Sequence, residues 1–434
     1  MSDWGKRLSM LNLRISSSKS AVDFLYMFLA NIIKKGFGFF REIILAFLFG
    51  SSIIYANFLL LKTAADLFSQ FTQGSSLQAN LLSKFSNIYK HGKEVSLQNV
   101  MHFLKQASYK IFLLSQIIQI PLLFYISPEN IWLFVLISIV LGILISANFF
   151  SSIFWIVMQG KGEFKKFSIS TTLDIFISTI LLYPLSFMFG VVGIVFSRIA
   201  GVSVLIYKYF TPMFREVNGE KINFSINDIN FSVLLLGNFA HIIIFLSRFA
   251  AGLDGNNNIT FFNYSVVLLN VFLTAIIMNL NTIVLRNLSL KKEGRIILLS
   301  FLVSLVLGLS LVFIINLYGF YIIQFIFQRG AFTVDDTYKT FLYAKDLSFS
   351  FVLIFVSSAL FQPFFSLDQK KIRKDSKSMA SIFIIVTLLV FLLFNFMPTD
   401  SRGNSLILIY SLSTISVLMA LFSLIRYFKL TKSN

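Results

Sequence analysis

The chain has 434 residues, of which 56% are hydrophobic and only 13% are charged, and its mean hydropathy is +0.81. Soluble globular domains carry about 25% charged residues, so this composition excludes a protein whose main solvent is water. Cysteine is absent, which excludes disulfides, thiolate metal sites and cysteine nucleophiles. The formal net charge of +18 therefore has to be explained within a membrane protein.

Apolar runs of roughly 20 residues, long enough to cross a hydrocarbon core of about 30 Å, follow one another along the chain. They predict helices, because lipid leaves no other partner for backbone groups and because they lack the alternation of barrel strands. Residues 1–20 are basic, without an apolar core or a cleavage site, so we expect a cytoplasmic tail there. About twelve spans are predicted, near 21–50, 53–83, 98–127, 130–159, 167–188, 190–211, 229–253, 258–285, 296–326, 338–366, 378–398 and 405–425.

Basic residues are distributed unevenly between the two sides of these spans. If the N-terminus is cytoplasmic, the cytoplasmic segments hold most of them, whereas the outer loops hold only Arg329, Lys339 and Arg402. This asymmetry follows the positive-inside rule and predicts that both termini are cytoplasmic. The excess of basic residues is then explained by the orientation of the spans in the membrane and by contact with anionic lipids. We therefore expect no nucleic-acid partner.

The longest cytoplasmic polar stretch lies between the sixth and seventh spans. It predicts a linker at 215–228 that separates an N-terminal lobe, 21–214, from a C-terminal lobe, 229–425, with a short cytoplasmic tail at 426–434. An all-α protein with two lobes of six helices is typical of transporters whose substrate path lies between the halves. No phosphate-binding loop, zinc motif or nucleophile elbow is present in the sequence, so we do not expect an enzyme.

Basic residues also interrupt the first predicted span at mid-depth. Lys34, Lys35 and Arg41 lie within an otherwise apolar run, where a cation costs roughly 2.5–3.5 kcal/mol unless it faces water or a partner. Lys34 and Arg41 are two helical turns apart and share a face, whereas Lys35 lies about 100° away from Lys34. Two interpretations stay open: an anion site in a hydrated cavity, or a structural pairing of the cations with Glu42 and Asp66.

Glycines and further charges accompany these cations. Gly36 and Gly38 predict a break or hinge in the first helix, and Gly74 predicts another after the second. Lys62 and Asp66 are four residues apart in the second span and can pair with each other. Three lone polar residues in the fifth, sixth and seventh spans fit either helix packing or transport: Asp174, Arg198 and His241.

Four stretches carry more specific signatures. The run 35–50, KGFGFFREIILAFLFG, places Arg41 nine residues before Gly50, and the run 327–337, FQRGAFTVDDT, contains an Arg-Gly-Ala-Phe-Thr segment. These runs, with Ser247–Tyr264 and Phe364–Lys371, resemble the MurJ/MviN family of lipid II flippases. The segment 329–333 is the most specific of these similarities.

The resemblance implies the multidrug/oligosaccharidyl-lipid/polysaccharide exporter fold, with two lobes in a V and alternating access. It also implies a flippase of the bacterial inner membrane that moves a polyprenyl-diphosphate-linked saccharide, lipid II or a related cell-envelope precursor, to the outer leaflet. We expect Lys35 and Arg41 to bind the diphosphate, with Lys62 and Arg248 as further ligands, because a buried diphosphate needs cationic partners.

The sequence departs from the family at several cavity positions, and it has about twelve spans where the family has about fourteen. Two alternatives stay open: a flippase for an O-antigen or capsule type of lipid-linked oligosaccharide, and a cation-coupled drug exporter of the same fold. Glu42, Asp66 and Asp174 are the expected charge partners or coupling carboxylates. We expect no cofactor or metal; coupling to the membrane potential, H⁺ or Na⁺ stays open, and proteins of cell-envelope synthesis are candidate partners.

Overall fold

The computed structural model describes the parts of the chain that contain the predicted spans, in whole or in part. These are residues 29–72, 97–126, 128–211, 231–255, 257–272, 294–367, 369–393 and 403–432, with the single residues 26, 89, 277, 281, 284 and 288. The regular elements in these ranges are helices, and none of the described residues lies in a strand. The predicted all-α class is confirmed.

The helices lie close to the predicted spans, because polar residues mark the ends of long apolar runs in the sequence. In chain order they are α1 (29–49), α2 (Ile53–Thr72), α3 (Leu97–Ile126), α4 (Ile131–Gly160), α5 (Phe164–Ile180), α6 (Leu182–Phe189), α7 (Val191–Leu205), α8 (Phe231–Gly237), α9 (Phe239–Leu253), α10 (Asn258–Phe272), α11 (Gly294–Phe327), α12 (Val334–Phe365), α13 (Gln369–Leu393) and α14 (Gly403–Lys432). A π-helical turn, Ile206–Phe210, continues α7.

Many of these helices have the length and composition of membrane spans. Among the described residues, seven are long and apolar enough to cross a membrane, and α5 and α6, bent by 41° relative to each other, qualify together as an eighth. Helices α9 and α10 are apolar but shorter. The chain is therefore a multi-pass membrane protein.

Helix α1 is continuous from residue 29 to residue 49. Gly36 and Gly38 lie inside it, so the structure lacks the break that was predicted at these glycines. A glycine costs a helix only about 1 kcal/mol relative to alanine, which is too little to open backbone hydrogen bonds that have no other partner in lipid. Gly74 lies outside the described residues, and its role as a hinge stays a prediction.

The chain divides into two compact units. Unit 1 comprises Met1–Arg41, Leu77–Ser108 and Ala147–Phe224, and unit 2 comprises Glu42–Ser76, Tyr109–Ser146 and Ser225–Asn434. The chain thus passes between units inside helices α1, α3 and α4. The predicted lobe boundary at 215–228 lies outside the described residues, and the two-lobe limits stay a prediction.

Close packing of helices α5 and α7 organises unit 1. A Cβ added at Gly201 on α7 would lie only 2.6 Å from the backbone oxygen of Asp174 on α5, so a small residue is required where the two backbones meet. The aromatic rings of Phe154 and Phe210 stack at 4.3 Å between centroids. The α5–α7 contact holds Asp174 inside this unit.

Helix α12 is the central helix of unit 2. Of its most apolar stretch, 83% is buried, as expected for a helix that is surrounded by other helices. A Cβ added at Gly308 on α11 would lie 3.0 Å from Val352 on α12. A capping box begins α12: Asp336 N donates to Thr333 Oγ1 at 3.2 Å, and Thr333 N donates to Asp336 Oδ2 at 2.8 Å.

Candidate functional site

Arg41 is fixed on helix α1 by contacts with helix α7 in unit 1. Its Nη2 donates to the carbonyl oxygen of Ile194 at 3.1 Å, and its Nη1 lies 3.5 Å from Ser197 Oγ. The Ser197 hydroxyl in turn donates to the same Ile194 carbonyl at 2.8 Å. Because the carbonyl and the hydroxyl are neutral, these contacts orient the guanidinium without cancelling its charge.

A buried carboxylate lies among the cations of unit 1. Asp174 is only 5% exposed, and Arg198, Arg41 and Lys34 lie close enough to interact with its charge. Its Oδ1 has no hydrogen-bond partner among the described residues. We call these four residues the Asp174 cluster. Among the described residues, the cluster has three basic side chains and one carboxylate, so it carries an excess of positive charge when all are ionised.

The two neighbouring lysines of α1 have different surroundings. Lys34 is half-buried, with Nζ 5.7 Å from the ring centroid of Phe167 on α5. Lys35 is exposed and makes no hydrogen bond or ion pair with the described part of the chain. The predicted shared face of Lys34 and Arg41 is thus present. The structure places Lys34, and not the predicted ligand Lys35, in the Asp174 cluster.

A second group of charges lies in unit 2. The predicted pair of Lys62 and Asp66 forms, with Nζ 2.8 Å from Oδ2. Arg248 on α9 is 8% exposed, stacks over Phe245 at 5.0 Å, and interacts electrostatically with Asp66 and Glu42. We call Glu42, Lys62, Asp66 and Arg248 the Arg248 cluster. Its two cations and two carboxylates balance.

The signature segments meet each other in unit 2. Ala331 N donates to the carbonyl oxygen of Phe47 at 2.9 Å, and Ser51 Oγ donates to Asp336 Oδ1 at 2.6 Å. A Cβ added at Gly50 would lie 2.2 Å from Ala331 O, and one added at Gly330 would lie 2.4 Å from Phe47 O. We call this contact the Gly50–Gly330 joint.

Aromatic packing supports the joint. The Tyr264 hydroxyl donates to the Gly50 carbonyl at 3.3 Å, and its ring lies 5.2 Å from those of Phe327 and Phe332. Arg329, just after the end of α11, is exposed and donates to the carbonyl of Phe325 at 2.7 Å. The most specific sequence signature therefore forms a packing contact between two distant segments of unit 2.

Comparison with known proteins gives similarity in structure only. No protein-family model matches the sequence, and no curated protein matches it. The lipid II flippase MurJ in an inward closed conformation superposes with a TM-score of 0.69 at 16% identity, over 93% of this chain and 87% of that chain. An inward-facing multidrug resistance MATE family transporter of the MOP superfamily gives 0.63 at 13% identity, over 95% and 96%.

The fold is that of the MOP superfamily. A MOP superfamily transporter from Pyrococcus furiosus also matches, with a TM-score of 0.58 at 13% identity over 94% of this chain and 96% of that chain. The expected exporter fold is thus confirmed. At these identities the likeness establishes the MOP fold alone, and the substrates named for those proteins belong to them.

Within this MOP fold the predicted ligands separate into two groups. Arg41 belongs to the Asp174 cluster of unit 1, whereas Lys62 and Arg248 belong to the balanced cluster of unit 2. Glu42 and Asp66 interact with Arg248, whereas the structural interpretation paired these carboxylates with Lys34, Lys35 and Arg41. Lys34 and Arg198 were not among the predicted ligands, although a lone arginine in an apolar span is a signal of a functional site.

Proposed function

We propose that the protein is a flippase that moves a polyprenyl-diphosphate-linked saccharide from the inner to the outer leaflet of a bacterial cytoplasmic membrane. The observation that carries the proposal is the positive excess of the Asp174 cluster. In the described part of the chain, this cluster combines Lys34, Arg41 and Arg198 with one carboxylate, that of Asp174. Cations inside a membrane protein are costly, and they commonly mark a path for a substrate of opposite charge.

A diphosphate fits this cluster for electrostatic reasons. Its charge cannot enter a low-dielectric environment unless cations compensate it, and charge-assisted hydrogen bonds provide that compensation. Arg41 is suited to this role because a planar guanidinium matches phosphate oxygens and because Ile194 and Ser197 fix its orientation. The exposed Lys35 supplies a further cation on the same helix. Lys62 and Arg248 are weaker candidates, since Asp66 and Glu42 already face them.

The first experiment tests the role of Arg41 in transport. The protein is reconstituted in liposomes with a fluorescent short-chain polyprenyl-diphosphate disaccharide, and the fraction that reaches the opposite leaflet is measured by dithionite quenching. Arg41→Ala should lower the rate about tenfold or more, the loss expected for a hydrogen bond to a charged group. Arg295→Ala removes an exposed arginine at the start of α11 and should leave the rate unchanged. Equal rates in a folded Arg41→Ala variant would reject the site.

Complementation identifies the saccharide. Expression in a bacterium depleted of its lipid II flippase should restore growth if the substrate is the peptidoglycan precursor. Failure with normal membrane expression would favour the O-antigen or capsule type of lipid-linked oligosaccharide instead.

A cation-coupled drug exporter is the second candidate function. The buried Asp174 favours it, because a carboxylate at membrane depth can bind H⁺ or a cationic substrate. Such an exporter would accumulate an organic cation such as ethidium in inverted vesicles under a proton or sodium gradient, and Asp174→Asn would abolish that uptake. Uptake of ethidium without flipping of the lipid-linked saccharide would replace the first proposal.

A further inference from the structure

An apolar groove of about 590 Å³ lies within unit 2 between helices α2, α3, α8, α9 and α13. Its walls include Leu67, Leu246, Phe249 and Phe383. The polar lining side chain is Thr387, and its hydroxyl already donates to the carbonyl oxygen of Phe383 at 2.8 Å. The lining side chains therefore offer no free hydrogen-bond donor, and this almost wholly apolar groove favours a hydrocarbon occupant.

The size of the groove restricts that occupant. Its volume falls within the range of about 300–1,000 Å³ that is typical of sites for single small ligands. A helix about 10 Å in diameter and about 30 Å long needs several times this volume, so a partner helix does not fit. A single lipid chain is consistent with both the chemistry and the volume.

Helix α13 connects this groove to a cationic surface. Lys374 and Lys377 are exposed in its first turns and are three residues apart, so they are neighbours on the helix surface. The groove is lined by Ile384 and Leu388. These residues follow Lys377 by seven and eleven positions, so they lie on the same face of α13 as Lys377. One face of α13 thus presents cations and then, starting about 10 Å further along the axis, an apolar channel.

We propose that an anionic phospholipid binds along α13, with its phosphate at Lys374 and Lys377 and one acyl chain in the groove. The charge pattern decides in favour of an anionic headgroup, since a zwitterionic lipid gains little from two lysines. The positive-inside rule predicts that this end of α13 is cytoplasmic, and the cytoplasmic leaflet is rich in anionic lipid. This bound lipid is separate from the proposed substrate, whose head binds in unit 1.

Photolabelling tests the proposal on the full-length protein in phosphatidylcholine vesicles. Phosphatidylglycerol with a diazirine in its acyl chain is added as a probe, and phosphatidylcholine with the same chain is the reference probe. We expect the anionic probe to label groove residues such as Phe391 and Leu246 preferentially. Replacing both lysines, K374Q with K377Q, should reduce this labelling by about fivefold for each lysine.

Two matched controls accompany this experiment. Lys429→Gln removes an exposed lysine of α14 and should leave labelling unchanged, whereas Thr387→Trp should fill the groove and abolish it. Leu309→Trp adds the same bulk on an exposed position of α11 and should have no effect. Equal labelling by both probes, adducts outside the groove, or displacement of the anionic probe by polyprenyl phosphate at lower concentration would each overturn the proposal. None of these outcomes depends on transport of the saccharide.

Discussion

Asp174 compensates part of the positive charge in the Asp174 cluster. It is buried, its Oδ1 has no hydrogen-bond partner among the described residues, and the cations around it are Arg198, Arg41 and Lys34. Its carboxylate lowers the mutual repulsion of these cations in the empty protein. An anionic substrate would take over part of that compensation when it binds.

Asp174→Asn therefore separates stability from anion binding. The variant should unfold more easily by about 1–3 kcal/mol, because three cations lose their counter-charge in a buried environment. Added pyrophosphate should raise its melting temperature more than that of the unmodified protein. Thermal unfolding in detergent, followed by tryptophan fluorescence, measures both effects.

A second substitution shows whether charge is the cause. In the double variant D174N with R198M, one cation is removed together with the carboxylate, and most of the lost stability should return. If the double variant is less stable than D174N alone, the carboxylate acts through packing against Gly201 and not through charge.

The residue contacts that the sequence predicted are local ones. The pair of Lys62 and Asp66 follows from a spacing of four residues, and the shared face of Lys34 and Arg41 follows from a spacing of seven. The interaction of Asp174 with Arg198 depends on the packing of α5 against α7. Residue spacing along the chain does not predict that packing. For this reason the sequence indicated that Arg198 is a lone charge in an apolar span, but it did not indicate the interaction with Asp174.

At the scale of elements, the Gly50–Gly330 joint explains why two distant segments require glycine. Both glycines have positive φ, 51° and 56°, and each has a backbone oxygen of the other segment where a side chain would begin. The end of α1 and the segment between α11 and α12 thus fit into each other. Ser51 and Asp336 add a hydrogen bond at the same contact.

Gly330→Ala should destabilise the protein by about 1–3 kcal/mol, because alanine is strained at positive φ and because its methyl group would overlap the Phe47 carbonyl. Gly38→Ala is the matched control, since a Cβ there meets nothing within 4 Å and alanine is the better helix former. The melting temperature should fall for the first variant and stay equal or rise slightly for the second. A neutral Gly330→Ala variant would contradict the joint.

Element boundaries were largely predictable, because hydropathy marks where helices leave the membrane. The prediction of a break in α1 was wrong. The low helix propensity of glycine costs less free energy than backbone groups left without hydrogen bonds in lipid. The joint was not predictable as a contact. The sequence showed only that its two segments resemble segments of a known family. That these segments contact each other is visible only in the tertiary structure.

At the scale of the whole molecule, the charge of the proposed substrate predicts that transport depends on the membrane potential. Moving one charge across the membrane changes the free energy by about 2.3 kcal/mol per 100 mV. An inside-negative potential should therefore accelerate export of an anionic head. Proteoliposomes with and without an imposed potassium diffusion potential provide the comparison, and a transport rate that does not change would reject this coupling.

The all-α class and the exporter fold were predictable from the sequence as a whole. Which helices make up each compact unit was not, since hydropathy gives the order of helices and not which of them pack together. Unit 2 combines part of α1 with the C-terminal helices. The binding roles of the predicted ligands stay a prediction, and tertiary packing decides which of these cations share a cluster.

The position of the unit boundary inside α1 restricts how this helix can vary. Arg41 is the last α1 residue of unit 1, and Glu42 is the first residue of unit 2. These two adjacent residues of opposite charge therefore belong to different clusters, Arg41 to the Asp174 cluster and Glu42 to the Arg248 cluster. An uninterrupted helix fixes their azimuths about 100° apart. Inserting or deleting a single residue there would turn every later side chain out of phase with its partners, so α1 should tolerate exchanges of side chain far better than any change in its length.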